Sequence, residues 1–334
     1  MFKLMTAVIA MVLASVAAMA QAPTLRIVQP DGPNLPAELY YGNIKVKPLR
    51  LRPGTNQVIT IDDADFFVNQ QYVDFLGRFP DQGGFDFWTN RITSCPAGDQ
   101  LCVNARRIAV ADAFFFEPEF QQTGSYVFRL YRAAYGNNQP SPNPDADPRY
   151  PGFNLSIPSY ATFKQDRTQV VGGANLAQSQ LNLANAFVER QEFINKYPAN
   201  LSPQAFISAV LATIQSNSNV DLSSQQAALL NLYNQGGRGT VMYRLADDNA
   251  QNPINNRAFV DGEYNRSFVT VEYFGYLRRD GDTNGLNFWL GQINRTPLRD
   301  TEKQHAMVCS FITSAEYQFR FGSTVTHTNQ ECPQ

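Results

Sequence analysis

One run of residues occurs twice in this chain, and that repeat limits the fold more than any other feature. Phe67-Val68-x3-Tyr72-x3-Leu76-x-Arg78-x2-Asp81-x2-Gly84-x2-Phe87-Trp88 returns as Phe268-Val269-x3-Tyr273-x3-Leu277-x-Arg279-x2-Asp282-x2-Gly285-x2-Phe288-Trp289. All nine positions are displaced by 201 without a gap, and the pair includes the only two tryptophans. Weaker starts lie between them, at Tyr126-Val127-x3-Tyr131-x3-Tyr135-Gly136 and Phe206-Ile207-x3-Leu211. Four endings alternate with the starts: Glu119-Phe120, Glu192-Phe193, Glu263-Tyr264 and Glu316-Tyr317. A repeat of this kind marks units that bury their apolar faces on one another. The expected units are 66–123, 126–196, 203–265 and 267–322, the outer two well marked and the inner two degenerate.

Within the units the apolar spacing is helical. Phe67, Val68, Tyr72, Phe75, Leu76 and Phe79 share one helix face, and a second helix is expected to start near Asp81, whose side chain caps it. Phe85, Trp88 and Ile92 make the buried stripe of that second helix. The expectation is an all-α, irregular multi-helix repeat domain over 61–325. A Pro-rich insertion at 137–152 falls inside its second unit. Residues 21–60 read differently. Ile44 and Val46 alternate with Lys45 and Lys47, and Leu49 and Leu51 with Arg50 and Arg52, the period of short strands in a β ribbon. The four cations on one face read as edge-strand protection against aggregation.

Met1–Ala20 carries an early Lys3, an apolar stretch from Leu4 to Ala18 and the small-residue site Ala18-Met19-Ala20, the pattern of a signal peptide cut before Gln21. No Cys follows for a lipid anchor, and no later segment reads as a membrane span. The expected location is outside the cytoplasm: extracellular, cell surface or periplasm. Four cysteines in an exported chain imply two disulfides, with three possible pairings. Sequence-local pairing is expected, Cys95 with Cys102 and Cys309 with Cys332, the second holding the tail 326–334. His305 and Cys309 have a spacing that zinc can use, but two further ligands are missing.

A net charge of −2 leaves no global field to attract nucleic acid. Only 17% of residues are charged, while Asn and Gln number 28 and 26, so amides share the solvated surface with the charges. No G-x-S-x-G occurs, and no His precedes position 305, which removes most nucleophile–base arrangements. The pairs Gly172-Gly173 and Gly236-Gly237 lack the Lys-Ser/Thr that a phosphate loop needs.

FVNQQYVDFLGRFPDQGGFDFW and FVTVEYFGYLRRDGDTNGLNFW, closed by FEPEFQ and SAEYQF, resemble the bacterial domain-of-unknown-function family 4214 over about residues 65–322. The resemblance rests on Tyr72, Leu76, Arg78, Asp81, Gly84 and Trp88 with their partners. It implies a helical domain of exported or surface-associated proteins, distantly like phycobilisome linker domains, with no defined catalytic residues. The family often accompanies Calx-beta or calcium-binding repeats, absent here. The inner units lack the Trp and the Arg-x2-Asp.

The ligand-binding candidates are Arg78, Asp81 and Trp88, with Arg279, Asp282 and Trp289. Asp81 with Glu119, or Asp282 with Glu316, beside a tryptophan offers the paired carboxylates of a glycoside hydrolase. The competing reading makes each Asp a helix cap and each Arg a clasp on the Glu that closes its unit. Asp280-Gly281-Asp282-Thr283-Asn284-Gly285 has oxygens at positions 1, 3 and 5 of a calcium loop. It lacks the carboxylate at position 12, where Gly291 stands, and a turn with a helix cap is the favoured reading. No cofactor is expected, calcium at Asp280, Asp282 and Asn284 being the one metal kept as an alternative. The expected function is non-enzymatic binding or scaffolding towards a surface polysaccharide or protein. The alternatives are the hydrolase and a calcium-dependent adhesion module.

Overall fold

The computed structural model describes the backbone of 25–28, 38–41 and 44–45, and residues 52, 54–137 and 158–332. The expected signal peptide, the side chains of the basic alternation before Arg52, all but the first residue of the Pro-rich insertion, and residues 333–334 lie outside the described residues. Ahead of the helices, Leu25–Val28, Glu38–Tyr41 and Ile44–Lys45 run antiparallel in that order, with Leu25 opposite Tyr41 and Tyr40 opposite Lys45.

The rest is helical. The first unit contains α1 (Ala64–Gln71), α2 (Gln82–Thr93), α3 (Gln100–Phe116) and α4 (Pro118–Gln122). Next come α5 (Gly124–Tyr135), α6 (Tyr160–Arg167), α7 (Leu176–Val188), α8 (Gln191–Lys196), α9 (Pro203–Ser218) and α10 (Gln226–Ala246). The last part contains α11 (Arg257–Glu272), α12 (Thr283–Ile293), α13 (Glu302–Ile312) and α14 (Ala315–Gln318). α11 runs unbroken across the boundary expected between 265 and 267, because Glu263 and Tyr264 lie within the helix and do not close it. Starts are set by short polar side chains that accept from the free backbone N–H groups of the first turn: Asp81, Asp99, Ser159, Ser202, Asp282 and Ser314. The Gly236-Gly237 pair breaks α10, with Gly237 at φ +69°.

All of α5 is buried, including Arg129 and Arg132, and it packs against α9, α10 and α11. A helix buried on every side needs its charges answered internally. Arg132 donates to both carboxylate oxygens of Glu263, at 2.7 and 3.1 Å, and Arg129 Nε donates to the carbonyl of Ala246 at the end of α10, at 2.7 Å.

The two outer units do not lie at opposite ends of a stack. They pack face to face. In each, the first helix runs into one π turn, Tyr72–Leu76 or Tyr273–Leu277, and stops at a left-handed residue, Gly77 (φ +62°) or Arg278 (φ +52°). The turns meet with the Phe75 and Tyr276 rings 5.1 Å apart, and α3 lies against α13. This break in the helix corrects one expectation. Phe79, placed on the buried face by a 3.6-residue period, is 45% exposed because the chain has already turned away at Gly77. Phe67, Val68, Tyr72 and Phe75 are buried as expected, and Leu76 is half-buried.

Candidate functional site

Nearly every residue of the repeated pattern has an internal task, and the tasks agree between copies. Phe67, Val68 and Tyr72, like Phe268, Val269 and Tyr273, are core side chains. Tyr72 meets Phe114 edge-on at 4.8 Å, and Tyr273 meets Phe311 at 4.9 Å. The glycines make room for those tyrosines: a Cβ on Gly84 would lie 2.1 Å from the Tyr72 hydroxyl, and one on Gly285 2.0 Å from that of Tyr273. Leu76 and Leu277 are half-buried against the core.

The charged residues form a clasp. Arg78 donates Nε and Nη2 to the two carboxylate oxygens of Glu119, at 2.7 and 2.6 Å. Arg279 does the same to Glu316, at 2.7 and 3.1 Å. Each Arg also donates Nη1 to the carbonyl of the next residue and lies over its unit's tyrosine ring, at 5.0 Å for Tyr72 and 5.4 Å for Tyr273. A bidentate guanidinium–carboxylate pair fixes direction as well as distance, so the clasp ties the end of the π turn to the helix that closes the unit. Asp81 stands 3.8 Å from Arg78, but its Oδ1 accepts from Gly84 N at 2.9 Å, and Asp282 accepts from Gly285 N at 2.8 Å. The Gly84 N–H bond holds the Asp81 carboxyl below the usual range.

Both tryptophans are half-buried at the edge of the core, Trp88 with Phe114 at 5.7 Å and Trp289 with Phe311 at 6.3 Å. One pattern position remains without a packing role. Phe87 and Phe288 are 52% and 55% exposed, each standing edge-on against its neighbouring indole at 4.8 and 5.1 Å. They sit on α2 and α12, of which only Ile92 and Ile293 are buried. Other exposed side chains on these helices are polar, Asp86, Asn90 and Arg91 on α2, and Thr283, Asn284 and Asn287 on α12. The Arg91 guanidinium lies 5.5 Å from the Phe87 ring. Sequence reasoning included these phenylalanines in the repeat without selecting them; only the exposure separates them from the tryptophans.

Two of the three calcium candidates accept from backbone N–H groups. Asp280 is buried, with Oδ1 accepting from Tyr160 N at 2.8 Å, Asp282 caps α12, and Asn284 is exposed. Among the described residues, no three His, Cys, Asp or Glu side chains are grouped to hold a metal. Cys95 is bonded to Cys102 and Cys309 to Cys332.

The last unit now has its full geometry. Residues 250–321 match the model of a domain of unknown function, DUF4214. That match covers α11 to α14 and stops short of the first unit, where the same clasp and the same exposed Phe occur. No curated protein and no solved structure matches the chain. No helix among the described residues is long and apolar enough to cross a membrane.

Proposed function

We propose that this chain is an exported, non-enzymatic binding domain that presents two equivalent aromatic ledges, Phe87-Trp88 and Phe288-Trp289, to a surface polysaccharide. The observation that carries this reading is the exposure of Phe87 and Phe288 at matched positions. An exposed ring costs solvation in both copies and adds little to the core. Aromatic faces pair with the C–H faces of sugars, and the flanking amides and hydroxyls suit sugar hydroxyl groups. Export rests on the leader at Met1–Ala20 and on the paired cysteines. The hydrolase alternative asks Asp81, Glu119, Asp282 and Glu316 to serve a substrate, whereas all four already hold helix ends or arginines. The N-terminal ribbon belongs to this proposal as a spacer ahead of the helical domain.

A glycan array and a pull-down from cell-wall fractions test it, with wild type, F87A, F288A and the double variant compared at equal Tm. Each single change should weaken capture about 3- to 10-fold, the scale of one aromatic contact, and the double change should abolish it. A blank array with an empty pull-down, or capture indifferent to both residues, would overturn the reading.

A further inference from the structure

The chain has two histidines, and both reach from its C-terminal part to the first unit. His305 on α13 places Nε2 3.0 Å from Asp112 Oδ2 on α3. His327, in the segment after α14, lies between two carboxylates, with Nδ1 2.7 Å from Glu331 Oε2 and Nε2 2.9 Å from Asp62 Oδ1. Ionised carboxylates only accept hydrogen bonds, so both ring nitrogens of His327 must donate, and only the imidazolium can do so. A neutral ring would turn a lone pair towards one of the two carboxylates. His305 differs, because with a single carboxylate its neutral Nε2–H tautomer keeps the contact.

The segment carrying His327 is a strap. Thr326 and His327 donate backbone N–H groups to Gln318 Oε1, Gln318 Nε2 donates to the His327 carbonyl, and Thr326 Oγ1 donates to Asp62. Asn104 of α3 donates to Glu331, and Cys332 is bonded to Cys309. His327 and Glu331 line a small cavity with Asn104 and Arg107. Arg107 is 3% exposed, and among the described residues its charge is met by Asp62 at 3.8 Å and the Phe67 ring at 4.3 Å.

We propose that His327 is a pH-operated latch: its imidazolium holds the strap over Arg107 and against the first unit, and loss of that proton frees the strap, which stays tethered at Cys332. The charged groups facing His327 are Asp62, Glu331 and Arg107. The hydrogen bond to Asp62 raises the ring's pKa above its ordinary value and the Glu331 bond adds to this, while burial and Arg107 oppose. The groups around His305 are Asp112 and, beyond it, Glu272 of α11; the Asp112 bond raises this ring too. The contribution of His327 is therefore complete below its unfolded pKa of about 6.5 and is lost as pH rises through the raised folded value.

The test uses the full oxidised chain. NMR titration of the two imidazoles is combined with hydrogen exchange of residues 323–332 between about pH 5.5 and 8.5, expressed as protection factors. His327 should titrate above about 6.5, with strap protection falling up to about tenfold per pH unit above its pKa. In H327Q, protection should be low and flat with pH, and in H305Q it should follow wild type. Protection unchanged across the range in wild type, a His327 ring titrating at or below the ordinary value, or loss of the dependence in H305Q would overturn the latch. If H327Q fails to fold, the wild-type titration and exchange decide alone.

Discussion

The first and last units share one scaffold and have different interiors. The clasp, the Asp cap, the glycine under the tyrosine and the π turn are the same in both. The differences gather where the units face each other. Asp74 corresponds to Gly275, Phe75 to Tyr276, Gly77 to Arg278 and Gln71 to Glu272. Asp74 is nearly inaccessible and accepts from both Arg278 (3.2 Å) and Arg320 (2.7 Å) of the other unit. A Cβ at Gly275 would lie 2.7 Å from the Phe75 ring. The Tyr276 hydroxyl donates to Gln71 at 3.0 Å, while Glu272 is fully buried with neither oxygen hydrogen-bonded. Residues that shape each unit can be identical twice. Residues on a seam between two copies must fit one another, so a charge in one copy answers a charge in the other and a ring in one answers a gap.

Making the seam symmetric is the most direct way to break it. Asp74→Gly installs the counterpart residue, removes the carboxylate that Arg278 and Arg320 share and adds a glycine within the helix, at a combined cost of about 3–4 kcal/mol in urea unfolding. A loss under about 1 kcal/mol would mean that the seam does not depend on that charge. Glu272→Gln installs the other counterpart. Burial, and then the charge of Asp112, push the Glu272 carboxyl well above the usual range. Its folded form thus keeps a proton that the unfolded chain releases near pH 4.5, and wild-type stability should decline as pH rises from there towards the folded value. The Gln variant should lose that slope and gain about 1–3 kcal/mol relative to wild type at pH 8, checked by denaturation across pH. Equal slopes would place the proton elsewhere. The clasps should give the smallest effect. E119Q and E316Q remove half-exposed pairs and should each cost about 0.5–1 kcal/mol. Arg279 is the more buried of the two arginines, with 13% side-chain exposure against 35% for Arg78, so E316Q should cost more.

The clasps, the caps and the cysteine pairs were legible because each depends on residues whose spacing states the contact. Asp81 precedes Gly84 by the three residues that a cap requires, and Arg78 comes with a Glu at the end of its own unit. The π turns were not legible, since nothing in the apolar spacing marks the extra residue they hold; Phe79 was misplaced because the helix stops at the left-handed Gly77. Glu272, Asp74 and His327 were not legible either. The arginines that meet Asp74 and the Asp62 that meets His327 lie 204 to 265 residues away, and periodicity shows that a side chain such as Glu272 is buried without showing against what. Phe87 illustrates the converse, a residue repeated with the core pattern that the core does not use.

The meeting of the outer units has a consequence for growth. An open array of helical repeats lengthens by offering its terminal face to one more copy. Here those faces are already occupied by each other, through Phe75 on Tyr276 and α3 on α13. A further copy added in tandem would have to open that closure before it could dock, so the contact between the two copies closes the array on itself.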